Sequence, residues 1–228
     1  MKVTALLPVK GFRNAKQRLS PLLGSAEREV LAEAMFRDVL KQTLRTRGLA
    51  ETCVVTGDDK VSVIALALGA QVIREPAENG ETCAVDFARS QLKGEGREAV
   101  LIIPGDMPLA RAEDIEQVLS PMTDRATAPF ALLVPSRDRM GTNALLLAPP
   151  DVIKLRFGLD SFSYHISQVA ARGLPIRFIE NERIALDIDE PKDLERFLTY
   201  REDSESFHLA HRLLAERSRK QRRRSASV

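Results

Sequence analysis

The chain has 228 residues, of which 44% are hydrophobic and 29% are charged, with a formal net charge of +2. This composition is typical of a globular enzyme with one full core, and no apolar stretch approaches the roughly 18 to 20 residues that span a bilayer. We therefore expect a protein that is neither secreted nor embedded in a membrane. Residues 201–228 carry eight Lys or Arg against four Asp or Glu, so the excess positive charge lies in an appendage, not on a nucleic-acid-binding face.

Two cysteines, Cys53 and Cys83, are too few for a disulfide framework, and they lack the spacing and histidine partners of a zinc site. We expect both thiols to be buried and reduced. That expectation favours a cytoplasmic location.

Short apolar runs alternate with helical patterns along the chain, which is typical of βαβ units around a mostly parallel sheet. Ser25 is a candidate N-cap for a first helix, in which Leu31, Met35 and Val39 share one face. Further helices are predicted at 60–68, 82–92, 112–119, 161–171 and 191–200. Strands are predicted at 3–7, 53–56, 71–74, 100–103, 131–134, 144–147, 176–179 and 184–188. The pattern predicts one α/β domain over residues 1–200.

The C-terminal segment, residues 201–228, has a different composition. Between Arg217 and Arg224 there are six basic residues and no acidic one. We predict a disordered tail after a short helix around 207–214. Two interpretations of the tail stay open: a solvated segment without a dedicated partner, and one that associates weakly with phosphate or nucleic acid.

Ligands of open α/β sheets bind beyond the carboxyl ends of the strands, so the loop after the first strand is the first candidate site. Residues 8–19 read PVKGFRNAKQRL, with four cations in nine positions. Such a loop can surround a polyphosphate with cations and backbone N–H groups, although it matches neither a P-loop nor a G-x-G-x-x-G motif. On composition alone, a solvated basic loop is the alternative.

Acidic residues follow two later strands. Asp106, in PGDMPL, comes directly after an apolar strand, where a carboxylate can bind magnesium or belong to an ordinary Gly-Asp turn. In LDIDEPKDL, strand periodicity predicts that Asp187 and Asp189 share a face, and Pro191 opens a helix. Asp193, in the first turn of that helix, can simply interact with the helix dipole.

These segments together resemble the phosphoenolpyruvate/2-phospho-L-lactate guanylyltransferase family. The resemblance rests on P-V-K-x5-K-x-R-L, P-G-D-x-P and D-I-D-x-P-x-D-L in that order, covers about residues 1–200, and omits the tail. Two further blocks, GTNALLL at 141–147 and RFGLDSF at 156–162, are similar to the acceptor-acid site of the family. The resemblance implies a three-layer α/β sandwich with a mostly parallel mixed sheet, as in nucleotide-diphospho-sugar transferases.

The resemblance also assigns roles to individual residues on the nucleotide side. It implies that Lys10 and Lys16 are catalytic cations facing the phosphates of GTP and that Asp106 and Asp189 hold Mg²⁺, with Asp187 as a reserve ligand. The nucleotide-binding positions that it implies are Pro8, Lys10, Lys16, Arg18 and Gly80. Glu81 and Thr82 follow Gly80 where family members usually read Gly-Leu-Asn, so the strictness for guanine stays open.

Thr142, Gly158 and Ser161 match the positions that bind the phosphorylated three-carbon acid. Their chemistry fits a phosphate, because they offer two hydroxyls and an unobstructed backbone N–H. The alternatives are a strand-end residue for Thr142, a turn glycine for Gly158 and a plain N-cap for Ser161. His165, one turn later, can approach the acid or be a structural histidine.

The implied reaction is transfer of GMP from GTP to the acid with release of pyrophosphate, in the biosynthesis of coenzyme F-420. Phosphoenolpyruvate, 2-phospho-L-lactate and 3-phospho-D-glycerate are the acceptors that the resemblance offers. Two alternatives stay open: a related nucleotidyltransferase acting on a molybdopterin or sugar phosphate, and a non-catalytic nucleotide-binding protein whose tail docks on nucleic acid or membrane. A homodimer is compatible with the sequence, which does not fix the oligomeric state.

Overall fold

A computed structural model of the chain describes residues 1–77, 79–123 and 128–225. Six strands form one sheet in the order β3-β2-β1-β4-β6-β5. The first four are mutually parallel, whereas β6 runs antiparallel to both of its neighbours. The strands are β1 (Val3–Pro8), β2 (Leu49–Thr56), β3 (Gln71–Arg74), β4 (Ala99–Ile102), β5 (Phe130–Pro135) and β6 (Thr142–Ala148).

Helices cover both faces of this sheet, so the predicted three-layer α/β architecture is confirmed. One core cluster packs α1, α2 and α4 against one face, and a second packs α3 and α5 against the other. None of the described helices is long and apolar enough to cross a membrane. The helices are α1 (Ser25–Arg45), α2 (Asp59–Leu68), α3 (Glu81–Gly94), α4 (Ala112–Thr123), α5 (Ser161–Ala171), α6 (Pro191–Thr199) and α7 (Glu205–Ser225).

Two of the predicted strands, at 176–179 and 184–188, do not form. The first makes only an isolated bridge between Phe178 and Leu133 of β5. The second is fixed by single backbone bonds in place of a ladder: the N–H of Arg137 donates to the Ala185 carbonyl at 2.9 Å, and that of Ile188 to the Asp106 carbonyl at 3.1 Å. The apolar side chains of this segment are buried although it is not a strand, which explains why a strand was predicted.

Local details differ at two further positions. Gly24, not Ser25, is the N-cap of α1, and its N–H donates to Oε2 of Glu27 at 2.7 Å. Cys53 is buried, as expected, but Cys83 is exposed because the neighbouring residues Ala84 and Val85 provide the inward face of α3.

Residues 205–225 form α7, so the predicted short helix around 207–214 is confirmed, whereas the prediction of a disordered tail after it is wrong for residues 215–225. The start of this helix is held by Asp38 of α1, whose Oδ2 accepts from the N–H and the hydroxyl of Ser206 at 2.8 and 2.6 Å. Ala210 and Leu213 are buried in a third apolar cluster with α1 and α6. Sequence reasoning missed this packing because the apolar positions are few and the basic composition dominates the segment. Residues 226–228 of the predicted tail lie outside the described residues.

Deleting Ser218–Val228 is expected to leave turnover at saturating substrate unchanged, because the α7 residues that the structure shows to be buried, Ser206, Ala210 and Leu213, all come before Ser218. A matched deletion from Glu205 should instead lower the melting temperature, since it removes Ser206, Ala210 and Leu213 from the core. Turnover and thermal unfolding of the two truncated proteins check this. A large loss of turnover in the shorter deletion would show that the end of α7 contributes to the site.

A comparison of the full-length protein with the Ser218–Val228 deletion also tests the two interpretations of the tail. Retention on an RNA or DNA column that falls with salt and disappears in the shorter deletion would indicate electrostatic association of the basic segment with nucleic acid. Equal retention of full-length and shortened protein would favour a solvated segment without such a partner.

Candidate active site

The loop after β1 folds back over the carboxyl end of the sheet. The N–H of Val9 still bonds the Val55 carbonyl of β2 at 3.0 Å, and then the chain turns away. Buried Arg28 of α1 donates to the carbonyls of Ala15 and Leu23 at 3.3 and 2.9 Å and so fixes the far end of the loop. Lys16 adopts a left-handed conformation, with φ 52° and ψ 45°, directly before the 3₁₀ turn Gln17–Leu19. This conformation is uncommon for a residue with a side chain and clusters at functional sites.

The ammonium group of Lys16 lies between two carboxylates. Its Nζ is 2.8 Å from Oδ2 of Asp106 and 2.8 Å from Oδ1 of Asp189. Burial by itself lowers the pKa of Lys16, but the charges of the two aspartates and their hydrogen bonds outweigh it and raise that pKa. Burial acts in the opposite sense on Asp189, where the charge of Lys16 prevails and lowers the pKa. Lys16 is therefore a permanent cation in the centre of the site.

The segments that carry the two aspartates are joined to each other. The N–H of Ile188 donates to the carbonyl of Asp106, which lies in the turn after β4. Asp193 fixes the next turn, because its Oδ2 accepts from the N–H groups of Asp189 and Glu190 at 3.2 and 2.8 Å. Asp193 thus caps α6, which agrees with its structural interpretation.

Asp187 lies beside this pair and faces the same cavity as Asp106 and Asp189. Its Oδ1 accepts from Nδ2 of Asn143 at 3.1 Å. Burial and the charge of Asp106 raise the pKa of Asp187 to about 6. The predicted shared face of Asp187 and Asp189 is therefore correct, although the segment is not a strand.

Two cavities meet at these carboxylates. The first, called here the β1 cavity, has a volume of about 680 Å³ and is lined by residues 8–16, which include Pro8 and Lys10. The second, called here the β6 cavity, has a volume of about 710 Å³ and is lined by Thr142, Gly158 and Ser161. The residues that line both cavities are Glu81, Pro104, Asp106 and Asp189. Two substrates placed in the two cavities would meet at the aspartate pair.

Gly11 permits a close approach at the β1 cavity. A Cβ at this position would lie 2.5 Å from Oδ2 of Asp58, so any larger residue would displace the Asp58 side chain. Asp58 in turn caps α2, because its Oδ1 accepts from the N–H of Val61 at 2.9 Å. The capping bond therefore fixes the position of the Asp58 carboxylate in the wall of the β1 cavity.

The hydroxyl oxygens of Ser161 and Thr142 in the β6 cavity already have hydrogen-bond partners within the protein. Oγ of Ser161 accepts from the N–H of Thr142 at 3.0 Å, and Oγ1 of Thr142 lies 2.9 Å from Nδ1 of His165. His165 is fully buried and its Nε2 accepts from the N–H of Arg156 at 3.1 Å. His165 therefore contacts Thr142 directly, and Thr142 and Ser161 lie together, as the sequence predicts.

Not every predicted nucleotide residue lines the β1 cavity. Arg18 lies at the β6 cavity, 3.8 Å from Glu190, and its side chain is 71% exposed. Gly80 has a φ of 96°, which favours glycine, and starts α3. It is not among the described residues that line either cavity, whereas the following residue, Glu81, lines both. Among the predicted phosphate-facing residues, Lys10 and Lys16 of the loop lie at the β1 cavity.

Glu81 is the residue that sequence reasoning did not assign to the site. Burial and the charge of Asp106 raise its pKa to about 7, against the opposing charges of Lys10 and Lys16. A position directly after a glycine at the start of a crossover helix does not by itself mark a site residue, because the packing of α3 decides which cavities the start of that helix reaches.

The carboxylates fit magnesium in number and kind. Magnesium is commonly held by one or two carboxylates together with substrate phosphates, and Asp106 and Asp189 are held close together by one nitrogen atom. No cluster of three or more potential metal ligands is found in residues 1–77, 79–123 and 128–225. The pair would need phosphate oxygens to complete the coordination.

A family model described as "Guanylyl transferase CofC like" matches residues 3–225. The chain belongs to this family. It is accordingly a nucleotidyltransferase, and the match extends through α7, beyond the 1–200 range of the motif resemblance.

Relatives of the chain include guanylyltransferases named for three different acids. The phosphoenolpyruvate guanylyltransferase of Conexibacter woesei is 36% identical over 86% of this chain and 86% of its own length. The 2-phospho-L-lactate guanylyltransferase of Methanothermobacter thermautotrophicus is 33% identical over 89% and 86% of the two chains. The 3-phospho-D-glycerate guanylyltransferase of Phenylobacterium zucineum is 35% identical over 83% and 86%.

The fold of this CofC-like chain also occurs in solved structures. A putative nucleotide-diphospho-sugar transferase from Desulfovibrio desulfuricans superposes with a TM-score of 0.76 over 95% of this chain and 98% of its own. The two sequences are 18% identical, so the likeness concerns the fold alone.

Proposed function

We propose that the protein transfers GMP from GTP to a phosphorylated three-carbon acid and releases pyrophosphate. The acceptor is phosphoenolpyruvate, 2-phospho-L-lactate or 3-phospho-D-glycerate, and the product serves the biosynthesis of coenzyme F-420 in the cytoplasm. Family membership supports guanylyl transfer, and the names of the three relatives support this class of acceptor.

One observation carries the proposal for the acceptor. In the β6 cavity, Oγ of Ser161 accepts a hydrogen bond from the N–H of Thr142, and Oγ1 of Thr142 lies within hydrogen-bond distance of Nδ1 of His165. The hydroxyl protons of Ser161 and Thr142 are therefore available to a ligand. A phosphate dianion offers oxygen acceptors, which match such donors. The cavity reaches Asp106 and Asp189, where the phosphate would meet a nucleotide held in the β1 cavity.

The reaction is a displacement at phosphorus. A phosphate oxygen of the acid attacks the α-phosphorus of GTP, a new P–O bond completes the diphosphate link, and the bond to the β-phosphate oxygen breaks. The electron pair leaves with pyrophosphate. Because the nucleophile is an anion at neutral pH, no protein nucleophile is required, and catalysis consists of positioning and of neutralising charge. Lys16 and Lys10 provide cations for the phosphates at the β1 cavity.

We further propose that Asp106 and Asp189 hold Mg²⁺, with Asp187 as an additional ligand in reserve. The ion would neutralise negative charge on the phosphate oxygens as the pyrophosphate leaves. The protein's own contribution is to keep the two carboxylates together through Lys16 and through the backbone bond between Ile188 and Asp106.

Pyrophosphate release tests the proposal. Purified protein is incubated with Mg²⁺ and GTP, and with each of the three acids in separate reactions. Release that requires both GTP and one acid is the expected result. Release with a molybdopterin or a sugar phosphate, but with none of the acids, would favour the related nucleotidyltransferase. Parallel reactions with ATP and CTP measure the strictness for guanine.

Thr142→Ala and Ser161→Ala are each expected to raise the KM for the acid far more than the KM for GTP. Each change removes one hydrogen bond to a charged phosphate, which is worth roughly 1.5 to 3 kcal/mol, or about 10-fold or more in affinity. Steady-state kinetics with each substrate varied in turn measure the two constants. Ser167→Ala is the matched control, because Ser167 lies on α5 with an exposed side chain that bonds only the Tyr164 carbonyl. A rise in the KM for GTP alone would indicate that the acid binds elsewhere.

A further inference from the structure

His165 is the one histidine that lies at the proposed acid site, and it does not reach the cavity itself. The chain has three histidines, and the other two, His208 and His211, are on α7. His165 lies on the buried face of α5, is fully buried and does not line the β6 cavity. Its ring contacts are with Phe157 and Tyr164 in edge arrangements. A direct contact with substrate is therefore not its role.

The tautomer of His165 follows from its two partners. The backbone N–H of Arg156 can only donate, and it points at Nε2 with an N···N distance of 3.1 Å. Nε2 must then be the unprotonated nitrogen, and the ring proton is on Nδ1. Nδ1–H is 2.9 Å from Oγ1 of Thr142, so the threonine oxygen accepts this bond.

This arrangement requires a neutral ring. A proton on Nε2 would face the N–H of Arg156 and leave two donors opposed. Burial, followed by the positive charges of Arg156 and Arg89, lowers the pKa of His165 to about 4, so the ring is neutral throughout the physiological range. Tyr164, on the same helix, meets the imidazole edge-on, with the two ring centroids 5.8 Å apart.

We infer that His165 is a positioning residue, which by donating Nδ1–H to Thr142 turns the threonine hydroxyl proton toward the phosphate of the acceptor. The inference rests on the proposed function, because it presumes that Thr142 binds the acid. A threonine hydroxyl has one proton and can rotate between donor and acceptor roles. Because its oxygen accepts from Nδ1–H, the hydroxyl cannot turn its proton toward His165, so the proton points outward and its orientation is set before the ligand arrives.

Ser161 is oriented by the same principle. Its Oγ accepts from the N–H of Thr142, so its own proton is also directed away from the protein. The two hydroxyls thus each direct a donor away from their protein partners, which matches the acceptor oxygens of an anion. For Ser161 the orienting donor is a backbone N–H, whereas for Thr142 it is the side chain of His165.

Nuclear magnetic resonance tests the tautomer without any substrate. Long-range ¹⁵N–¹H spectra of the full chain distinguish the Nδ1–H from the Nε2–H form, and the three histidines are few enough to resolve. We expect one imidazole that is Nδ1–H, does not titrate between pH 5.5 and 8, and disappears in His165→Asn. An Nε2–H tautomer, or titration near pH 6.5, would overturn the inference whatever the turnover.

Two substitutions of similar polarity then separate positioning from packing. In His165→Asn the amide nitrogen can take the place of Nδ1 and donate to Thr142, whereas in His165→Gln the amide lies nearer the position of Nε2 and Arg156. We expect His165→Gln to raise the KM for the acid by about 3- to 10-fold, the range for disturbing one hydrogen bond, with the KM for GTP unchanged. His165→Asn should recover most of the affinity for the acid.

A double-mutant cycle with Thr142→Ala gives the decisive comparison. If His165 acts through the hydroxyl, His165→Gln has no further effect on the KM for the acid once that hydroxyl is gone. Equal effects in both backgrounds would show a packing role and overturn the inference, while the proposed function would stand. Wild-type protein that transfers GMP to none of the acids would instead refute the proposed function, and with it a positioning role toward an acid.

Discussion

Asp106→Asn and Asp189→Asn are each expected to lower turnover by at least about 100-fold, the loss typical of removing one preorganised charge-stabilising group. Each substitution keeps the shape of the side chain but removes a negative charge from the pair that we propose holds magnesium. Steady-state turnover at saturating GTP and acid, over a range of magnesium concentrations, measures the loss. Near-native turnover in Asp106→Asn would refute the metal assignment.

A surface aspartate controls for charge alone. Asp203→Asn removes the same charge from a fully exposed side chain that pairs with His208 on the surface, so it should leave turnover unchanged. Far-ultraviolet circular dichroism of all three variants would establish that the fold is retained. A loss confined to Asp189→Asn would indicate a different metal arrangement, in which Asp187 takes part in place of Asp106.

Lys16→Met is expected to have an effect of similar size, at least about 100-fold on turnover. The variant loses the buried cation that contacts both aspartates and leaves two carboxylates facing each other without compensation. Methionine fills most of the volume of the lysine stem, so a packing defect is not the main change. Turnover and thermal unfolding, each with and without magnesium, measure the two consequences separately.

Lys10→Met is the matched comparison within the same loop. Lys10 is exposed and lines the β1 cavity, so we expect its loss to raise the KM for GTP more than it lowers turnover. Lys2→Met, at the exposed start of the chain, should change neither constant. Equal losses of turnover in Lys10→Met and Lys16→Met would contradict the central position that we assign to Lys16.

Local sequence signals predicted the elements that carry the site. Apolar runs that stop at Pro and Gly predicted strand β1 with its cationic loop. The same signal predicted the turn that holds Asp106 after β4. The predicted helix at 161–171 coincides with α5, which starts at Ser161. These features depend on short segments, so a single sequence can indicate them.

Features that depend on distant partners were not predictable in this way. Three contacts join segments that are far apart in the chain. Asn143 donates to Asp187, His165 packs against Thr142, and the start of α7 is hydrogen-bonded to Asp38. Glu81 enters the site only because α3 starts at the edge where both cavities open. Such contacts are set by how the layers pack, and no local pattern encodes them.

The placement of Lys16 has a consequence for how activity arises during synthesis. Its two carboxylate partners lie 90 and 173 residues further along the chain. Contacts of such separation form only when the intervening chain has folded, because closing long loops costs entropy before the contact is gained. A nascent chain that ends before Asp189 therefore holds the cationic loop but not its second counter-charge. Catalytic competence should appear in one step, late in synthesis, and no N-terminal fragment should retain a part of it.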